Sequence, residues 1–344
     1  MIGKHSPRGR RDALTLLLIL VAALLVLCSG FAGAETRTVR IAKQYGVSYL
    51  PLTIMEEGKL LEQHGKRLGV DLKTEWVQFT GGPPMNEAII SGNLEFASGG
   101  VGPLLTIWGK TRGSLDVKGV AALNSMPLYL NTINPNVKSI KDFTDKDRIA
   151  LPAVKVSIQA ITLAMAAEQA FGAGQQGKLD ALTVTLAHPD GMAQMMGGKS
   201  EITAHFTSAP FMYQELEDKR VHKVLDSYEV LGGPHTFNVV WATTKYRNDN
   251  PKIVEAFITA LDDAMKQIAK DPAAAAAVWV KNENSKLPPV TVERLIRLPE
   301  NEWTMVPKKI MAYAEFMNRA GLLSVKPTHW QDVFFPDTHK LPGS

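Results

Sequence analysis

The residues best equipped for chemistry in this chain are glycines, hydroxyls and a few histidines, and they recur where apolar runs end. Residues 91–103 read SGNLEFASGGVGP. Gly99, Gly100 and Gly102 follow a short apolar run, Val101 sits between them, and Pro103 leads into LLTIWGK. Glycines of this kind let the backbone approach a bound group closely. A helix starting there offers free N–H groups and a positive dipole end to an anion or a polar head. FTGGPP (79–84) has the same character. Thr80 offers a hydroxyl, Gly81 and Gly82 allow close approach, and Pro83 or Pro84 sets a first helical turn. KQYGVSY (43–49) places Gln44, Tyr45, Gly46 and Ser48 after a first strand. Further along, Ser157 and Gln159 open a helix, and His205, Phe206, Thr207 and Ser208 end a strand.

Three nucleotide or nucleophile signatures are excluded. Gly-Gly-Val-Gly-Pro lacks the G-x-G-x-x-G spacing and follows the third strand instead of the first. No Gly-Lys-Ser/Thr follows it, and no G-x-S-x-G occurs beyond residue 34. For any single glycine a plain tight turn explains the residue as well as a ligand does. His188, His205 and His235 fall near loops, but no H-x-H or H-E-x-x-H spacing joins them, so no metal and no cofactor is expected. They read as polar loop histidines, or as one histidine bonding a ligand. A Ser-His-Asp triad assembled from distant residues stays open. Met192, Met195 and Met196 read as the core face of a helix.

The elements that must position these residues alternate. RTVRIAK (37–43), DLKTEWVQF (71–79), LEFAS and VKGVAAL read as strands. Between them lie LPLTIMEEGKLLEQHGKRLG, with Gly58 and Gly65 as interruptions, MNEAIISG, and PLLTIWGKT. The alternation resumes with strand DRIALPA and a long helix, VSIQAITLAMAAEQAFG, capped by Ser157 and stopped by Gly172. Strand LTVTLAH, helix GMAQMMGG, strand EITAHF, helix PFMYQELEDK and strand VHKVLDS follow. After VVWATT the chain turns almost wholly helical, with cap-and-proline starts at Asn250-Pro251 and Asp271-Pro272. Strands alternating with helices predict an α/β fold with mainly parallel sheets, whose ligands sit at the carboxyl ends of strands. MNEAIISGNLEFASGGVGP is echoed by MAQMMGGKSEITAHFTSAP: Gly92 aligns with Gly198 and Glu95 with Glu201. Two such half-sites predict two sheets facing each other across a cleft.

Residues 1–34 read as a cleaved export signal. Lys4, Arg8, Arg10 and Arg11 are basic, Ala13–Leu27 is apolar, and Ala32 and Ala34 place the cut before Glu35. The whole chain has 38 Lys and Arg, 34 Asp and Glu, and a net charge of +4. Residues 1–34 hold four of those bases and one acid, so the remaining 310 residues carry 34 and 33, close to neutral. That leaves no charge argument for nucleic acid or for a membrane surface. The single cysteine, Cys28, lies in the signal, so neither disulfides nor a cysteine nucleophile are expected beyond it. A length of 310 residues predicts two lobes.

Taken in order, VRIAKQYG, LPLTIMEEGKLLEQHG, GGPPMNEAIISGNLEFASGGVGPLL, IALPAVKVSIQAITL, KSEITAHFTSAPF and NPKIVEAFITALDDAM…DPAAAA resemble the nitrate/sulfonate/taurine class of periplasmic substrate-binding proteins of ABC importers. The resemblance implies a type II periplasmic-binding-protein fold of two α/β lobes that close on a ligand. It implies crossings near 124–130 and 233–240, so that residues 35–125 plus 235–344 form one lobe and residues 126–234 the other. It places ligand contacts at Gln44, Tyr45, Gly46, Thr80, Gly81, Gly82, Gly100, Val101, Gly102, Ser125, Met126, Ser157, His205, Phe206, Thr207 and Ser208. It implies a periplasmic monomer that is no enzyme and hands a small organic or inorganic anion to a membrane permease. A pyrimidine-like or aromatic ligand, an exported enzyme on the same fold, and a sensor subunit are the alternatives. Val154-Lys155-Val156-Ser157 stands where this class often has Gly-Ser.

Overall fold

The computed structural model describes residues 38–344, and the export signal read over residues 1–34 lies outside them. The ten strands are β1 (Thr38–Lys43), β2 (Lys73–Gln78), β3 (Ala97–Gly100), β4 (Lys118–Ala122), β5 (Tyr129–Thr132), β6 (Ile149–Leu151), β7 (Thr183–Thr185), β8 (Ala204–Thr207), β9 (His222–Asp226) and β10 (Asn238–Ala242). The helices in the first half are α1 (Leu50–Gly58), α2 (Leu60–Arg67), α3 (Gly82–Ile90), α4 (Val101–Lys110), α5 (Ile158–Phe171), α6 (His188–Gly197), α7 (Phe211–Leu216) and α8 (Ser227–Leu231). Then follow α9 (Thr244–Asp249), α10 (Pro251–Lys270), α11 (Pro272–Asn282), α12 (Pro289–Ile296) and α13 (Ile310–Arg319). Among the described residues no helix is long and apolar enough to cross a membrane.

The strands build two sheets of the same design. β2 pairs with β1, a parallel bridge from Ile41 to Phe96 joins β1 to the start of β3, and β10 lies between β3 and β4. The second sheet runs β7-β6-β8-β5-β9. In each, four of the five strands run the same way and one is antiparallel to both its neighbours: β10 in the first sheet, β5 in the second. The sheets are mainly parallel, as alternation along the chain predicts, and one inserted antiparallel strand makes each of them mixed. The inserted strand reaches its sheet by crossing from the other lobe, and local periodicity carries no trace of that pairing.

The sequence echo has a structural counterpart. Its two copies are α3–β3 and α6–β8, in equivalent places of the two sheets. Arg40 on β1 pairs with Glu95 at 2.6 Å, and Arg148, just before β6, faces Glu201 at 3.7 Å. The carbonyl of Arg40 accepts from the N–H groups of Glu95 and Phe96, and that of Arg148 from those of Thr203 and Ala204.

Four local expectations need correction. Gly99 and Gly100 are not a loop: they end β3, paired with Val239 and Asn238 of β10, and α4 starts at once behind them. The long helix after β1 breaks at Lys59 (φ 48°), while Gly65 lies inside α2, where a Cβ would come within 2.6 Å of the Leu72 side chain. The α6 helix starts at His188, three residues before Gly191, because Pro189 fits the first turn. Asn250 precedes Pro251 without capping α10 through its side chain, whereas Asp271 accepts from the Ala274 N–H as expected. Ser157 caps α5 through the Ala160 N–H, and Gly172 ends it (φ 105°).

The two crossings, residues 123–128 and 232–237, lie side by side. Ser125 and Thr236 form an antiparallel bridge, and Phe237 N–H donates to the Asn124 carbonyl. One apolar cluster continues through both lobes, joining Leu104 and Trp108 of α4 to Ile158 and Ile161 of α5 and to Ile310 and Phe316 of α13.

Candidate functional site

The carboxyl ends of both sheets look into one space between the lobes. Gln44, Tyr45, Tyr49, Gly82 and Gly100 line it from the first lobe. Pro152, Ser157, Ile158, Gln159 and His188 line it from the second, with Phe237 of the second crossing at the edge. The cavity is small, about 20 Å³, the space of a single water molecule. Four helices begin at its wall: α3 at Gly82, α4 after Gly100, α5 after Ser157, and α6 at His188. Each is at least nine residues long. Their unpaired N–H groups and dipoles give the wall positive potential without a fixed cation. No Lys or Arg lines it among the described residues. Lys43 is held by Glu56 (2.8 Å) and Glu283 (3.3 Å), and Lys155 is exposed.

Of the positions carried over by resemblance, Gln44, Tyr45, Gly82, Gly100 and Ser157 sit on the cavity wall. The Gln44 amide donates to the Ser98 carbonyl at 3.2 Å. Gly46 and Gly81 stand against the other lobe's backbone: a Cβ would come within 2.9 Å of the Ala209 carbonyl and 3.0 Å of the Pro152 carbonyl. Gly46 has φ 122°, and the next N–H, that of Val47, donates to the Ala209 carbonyl across the lobes. Gly102 meets the Val156 carbonyl in the same way, at 2.7 Å. Val101 and Met126 are buried in the core, and Thr80 is exposed. Ser125 lies in the first crossing, with its Oγ 3.1 Å from the Tyr228 hydroxyl. Phe206 is fully buried on β8, and Ser208, just beyond it, has a buried hydroxyl with no partner. Several of the glycines thus make the close approach between lobes, which the glycine-rich pattern signals only as some close approach.

His205 and Thr207 stand one layer behind the wall. The His205 Nδ1–H donates to Glu215 Oε1 at 2.6 Å, and Glu215 Oε2 accepts from the Asn131 amide at 2.9 Å. In front of His205 is His188, whose Nδ1 is 2.8 Å from the Thr207 hydroxyl and 3.5 Å from His205 Nε2. Its Nε2 lies 3.5 Å from the Gln159 amide nitrogen at the cavity. These partners assign the neutral Nδ1–H tautomer to His188. Burial, together with the neighbouring His205, holds the His188 pKa well below the ordinary value. The His188–Pro189 start of α6 is the signal that could have placed His188 at a helix N-terminus.

His235 lies in the second crossing. Its Nδ1–H donates to the Thr236 carbonyl at 3.0 Å, and its Nε2 accepts from the Ser227 hydroxyl at 2.8 Å. The Tyr313 hydroxyl lies 3.3 Å from His235 and 3.2 Å from Thr162 of α5, tying α13 to both. Burial pushes the His235 pKa down to about 4. A histidine neutral in the fold and protonated when unfolded binds more protons unfolded, so stability is lost as pH falls from about 6.5 towards about 4. The loss expected is about 3 kcal/mol. His235→Gln should flatten that part of a melting-temperature profile, and an unchanged slope would assign the pH dependence elsewhere.

Among the described residues no three His, Cys, Asp or Glu side chains are grouped so as to hold a metal. No family model matches the chain, and no curated protein matches it. Solved structures do. The alkanesulfonate-binding protein SsuA from Xanthomonas axonopodis pv. citri, bound to MOPS, is 20% identical (TM-score 0.66) over 84% of this chain and 95% of its own. The periplasmic nitrate-binding protein NrtA from Synechocystis PCC 6803 is 15% identical (TM-score 0.65) over 87% and 84%. A Candida albicans gene product described as having the generic periplasmic binding protein fold is 12% identical (TM-score 0.64) over 87% and 94%. With two sheets of one design, two adjacent crossings and a cavity between the lobes, this chain has the periplasmic-binding-protein fold.

Proposed function

We propose that the protein is an extracytoplasmic solute-binding protein that takes a small anion between its lobes and presents the closed form to an ABC-type membrane importer. The observation that carries this reading is the convergence of four helix N-termini, two from each lobe, on one small cavity. A ligand held there touches both lobes at once and binds the closed state better than the open one, which is the condition for driving closure. Similarity in fold to sulfonate- and nitrate-binding proteins supports the solute class. The lobes correspond to residues 35–125 plus 235–344 and to residues 126–234. The chain acts as a monomer in the periplasm, after an export signal is cut near Ala34.

A thermal-shift screen tests this. Nitrate, bicarbonate, alkanesulfonates, aromatic carboxylates and pyrimidines are the candidates. A ligand at about a hundred times its Kd stabilises by about 2.7 kcal/mol, which raises the melting temperature by several degrees. Turnover of a substrate, with no compound shifting the melt, would sink the solute-binding reading.

A further inference from the structure

The best-buried polar cluster near the cavity has no structural need to open onto it, yet it does. Glu215 and His205 are fully buried and hydrogen-bonded to each other, and His205 backs onto His188 on the cavity wall. Space for the His205 ring beneath α6 depends on Gly191, where a Cβ would come within 2.7 Å of His205 Nε2. The chain Glu215–His205–His188 therefore runs from a buried carboxylate to a ring nitrogen at the cavity. In the neutral tautomer that nitrogen, His188 Nε2, carries a lone pair and accepts from the Gln159 amide.

A lone pair at the focus of four helix N-termini is mismatched to an anion, and the wall has no fixed cation to offset it. A proton removes the mismatch. It turns Nε2 into a donor and puts a positive charge beside the ligand. Burial and His205 itself disfavour that charge, and the Glu215 carboxylate, bonded to the far nitrogen of His205, offsets them from behind. Gln159 adapts by turning its amide so that its oxygen faces the new N–H.

We propose that the cavity binds a small oxyanion together with one proton, taken from water onto His188 and held there by the His205–Glu215 pair. This rests on the solute-binding reading and adds the ligand's charge and its regulation. The charged and titratable groups around His188 are few. Behind it stand His205 on β8 and Glu215 on α7. Across the cavity are Tyr45 and Tyr49, with Gln159 on α5 and Phe211 of α7 adding no charge. On its own helix Asp190 is exposed, as is Lys155 before α5. Among the described residues, His205 is the only titratable side chain within hydrogen-bonding reach of the His188 ring. In the ligand-free protein the ring is neutral at neutral pH.

The test uses the purified protein and calorimetry with nitrate, formate and methanesulfonate, and with uracil and urea as neutral probes. Titrations run between about pH 6 and about pH 8, where an ordinary histidine changes charge, in two buffers of different ionisation enthalpy. At least one oxyanion should bind with uptake of one proton, and its Kd should rise about tenfold per pH unit. His188→Gln should bind more weakly and without pH dependence. Glu215→Gln should keep the proton uptake but move its range to lower pH. Nitrogen chemical shifts of the His188 ring in the unmutated protein give a second reading: neutral when free, protonated when bound. A pH-independent Kd, proton release, a slope that survives His188→Gln, or no binding by any of the three oxyanions overturns the proposal. Binding of uracil or urea in that last case leaves the solute-binding reading standing. That reading fails separately, by turnover without any ligand-induced shift.

Discussion

Valine at position 100 weakens solute binding by roughly ten- to a hundredfold while leaving the melting temperature of the ligand-free protein nearly unchanged. The backbone at Gly100 is extended (φ −68°, ψ 164°), so a branched side chain is compatible with it. The obstacle is the other lobe. A Cβ on Gly100 would stand 2.7 Å from the Cβ and Cγ2 of Ile158, the first residue of α5. Overpacking of that kind costs about 1–3 kcal/mol when the surroundings cannot move. Here they can, by opening the lobes, so the cost falls on the closed state. The ligand must then supply it, and the apparent Kd rises accordingly. Solution scattering should show the variant more extended than the wild type in the presence of ligand. Gly100→Val combined with Ile158→Gly removes both obstructing atoms, the Cβ and the Cγ2, and should recover most of the affinity, a coupling readable from the double-mutant cycle. Equal losses of stability and affinity in the single variant, with no recovery in the double, would mean that Gly100 serves only the β3–α4 junction.

The same residue shows what the sequence can and cannot reveal. Glycines at 99, 100 and 102 point to a close backbone approach, and the structure has one. Neither their pairing with β10 nor the identity of the approaching group, Ile158 and the Val156 carbonyl, leaves a local mark. Helix α5 was fully legible, because Ser157, an apolar run and Gly172 are local signals that agree. So was the two-lobed plan, through the echo of α3–β3 in α6–β8. The antiparallel strands β5 and β10 were not, since their partners lie in the other half of the chain. His205 read as a strand-end residue facing a ligand. Its real neighbours, Glu215 and His188, come together only once α6 and α7 pack on β8. Buried polar clusters of this sort are tertiary facts, and no spacing of His and Glu along the chain foretells them.

That cluster carries the largest stability effect expected in the protein. Glu215→Ala should destabilise by about 2–6 kcal/mol, because removing the carboxylate leaves two buried donors without an acceptor. The melting temperature should fall by on the order of 10 °C. Two donors lose their acceptor at once: His205 Nδ1–H and the Asn131 amide, both on strands of the second sheet. Asn131 also donates to the Met212 carbonyl at 2.9 Å, so its loss loosens the seating of α7. Glu215→Gln has a different outcome. Its oxygen can still accept from His205, but its NH2 group meets the Asn131 amide nitrogen, a donor held by the Met212 carbonyl, so the bond to Asn131 is lost. The cost should stay below that of the alanine variant, since the His205 hydrogen bond and the side-chain packing are retained. The contrast separates packing from charge. If both variants melt alike, the carboxylate's charge holds the cluster together. If alanine costs the large amount and glutamine little, the hydrogen bonds hold it, and the negative charge of Glu215 is left free to set how readily His188 accepts a proton at the cavity wall.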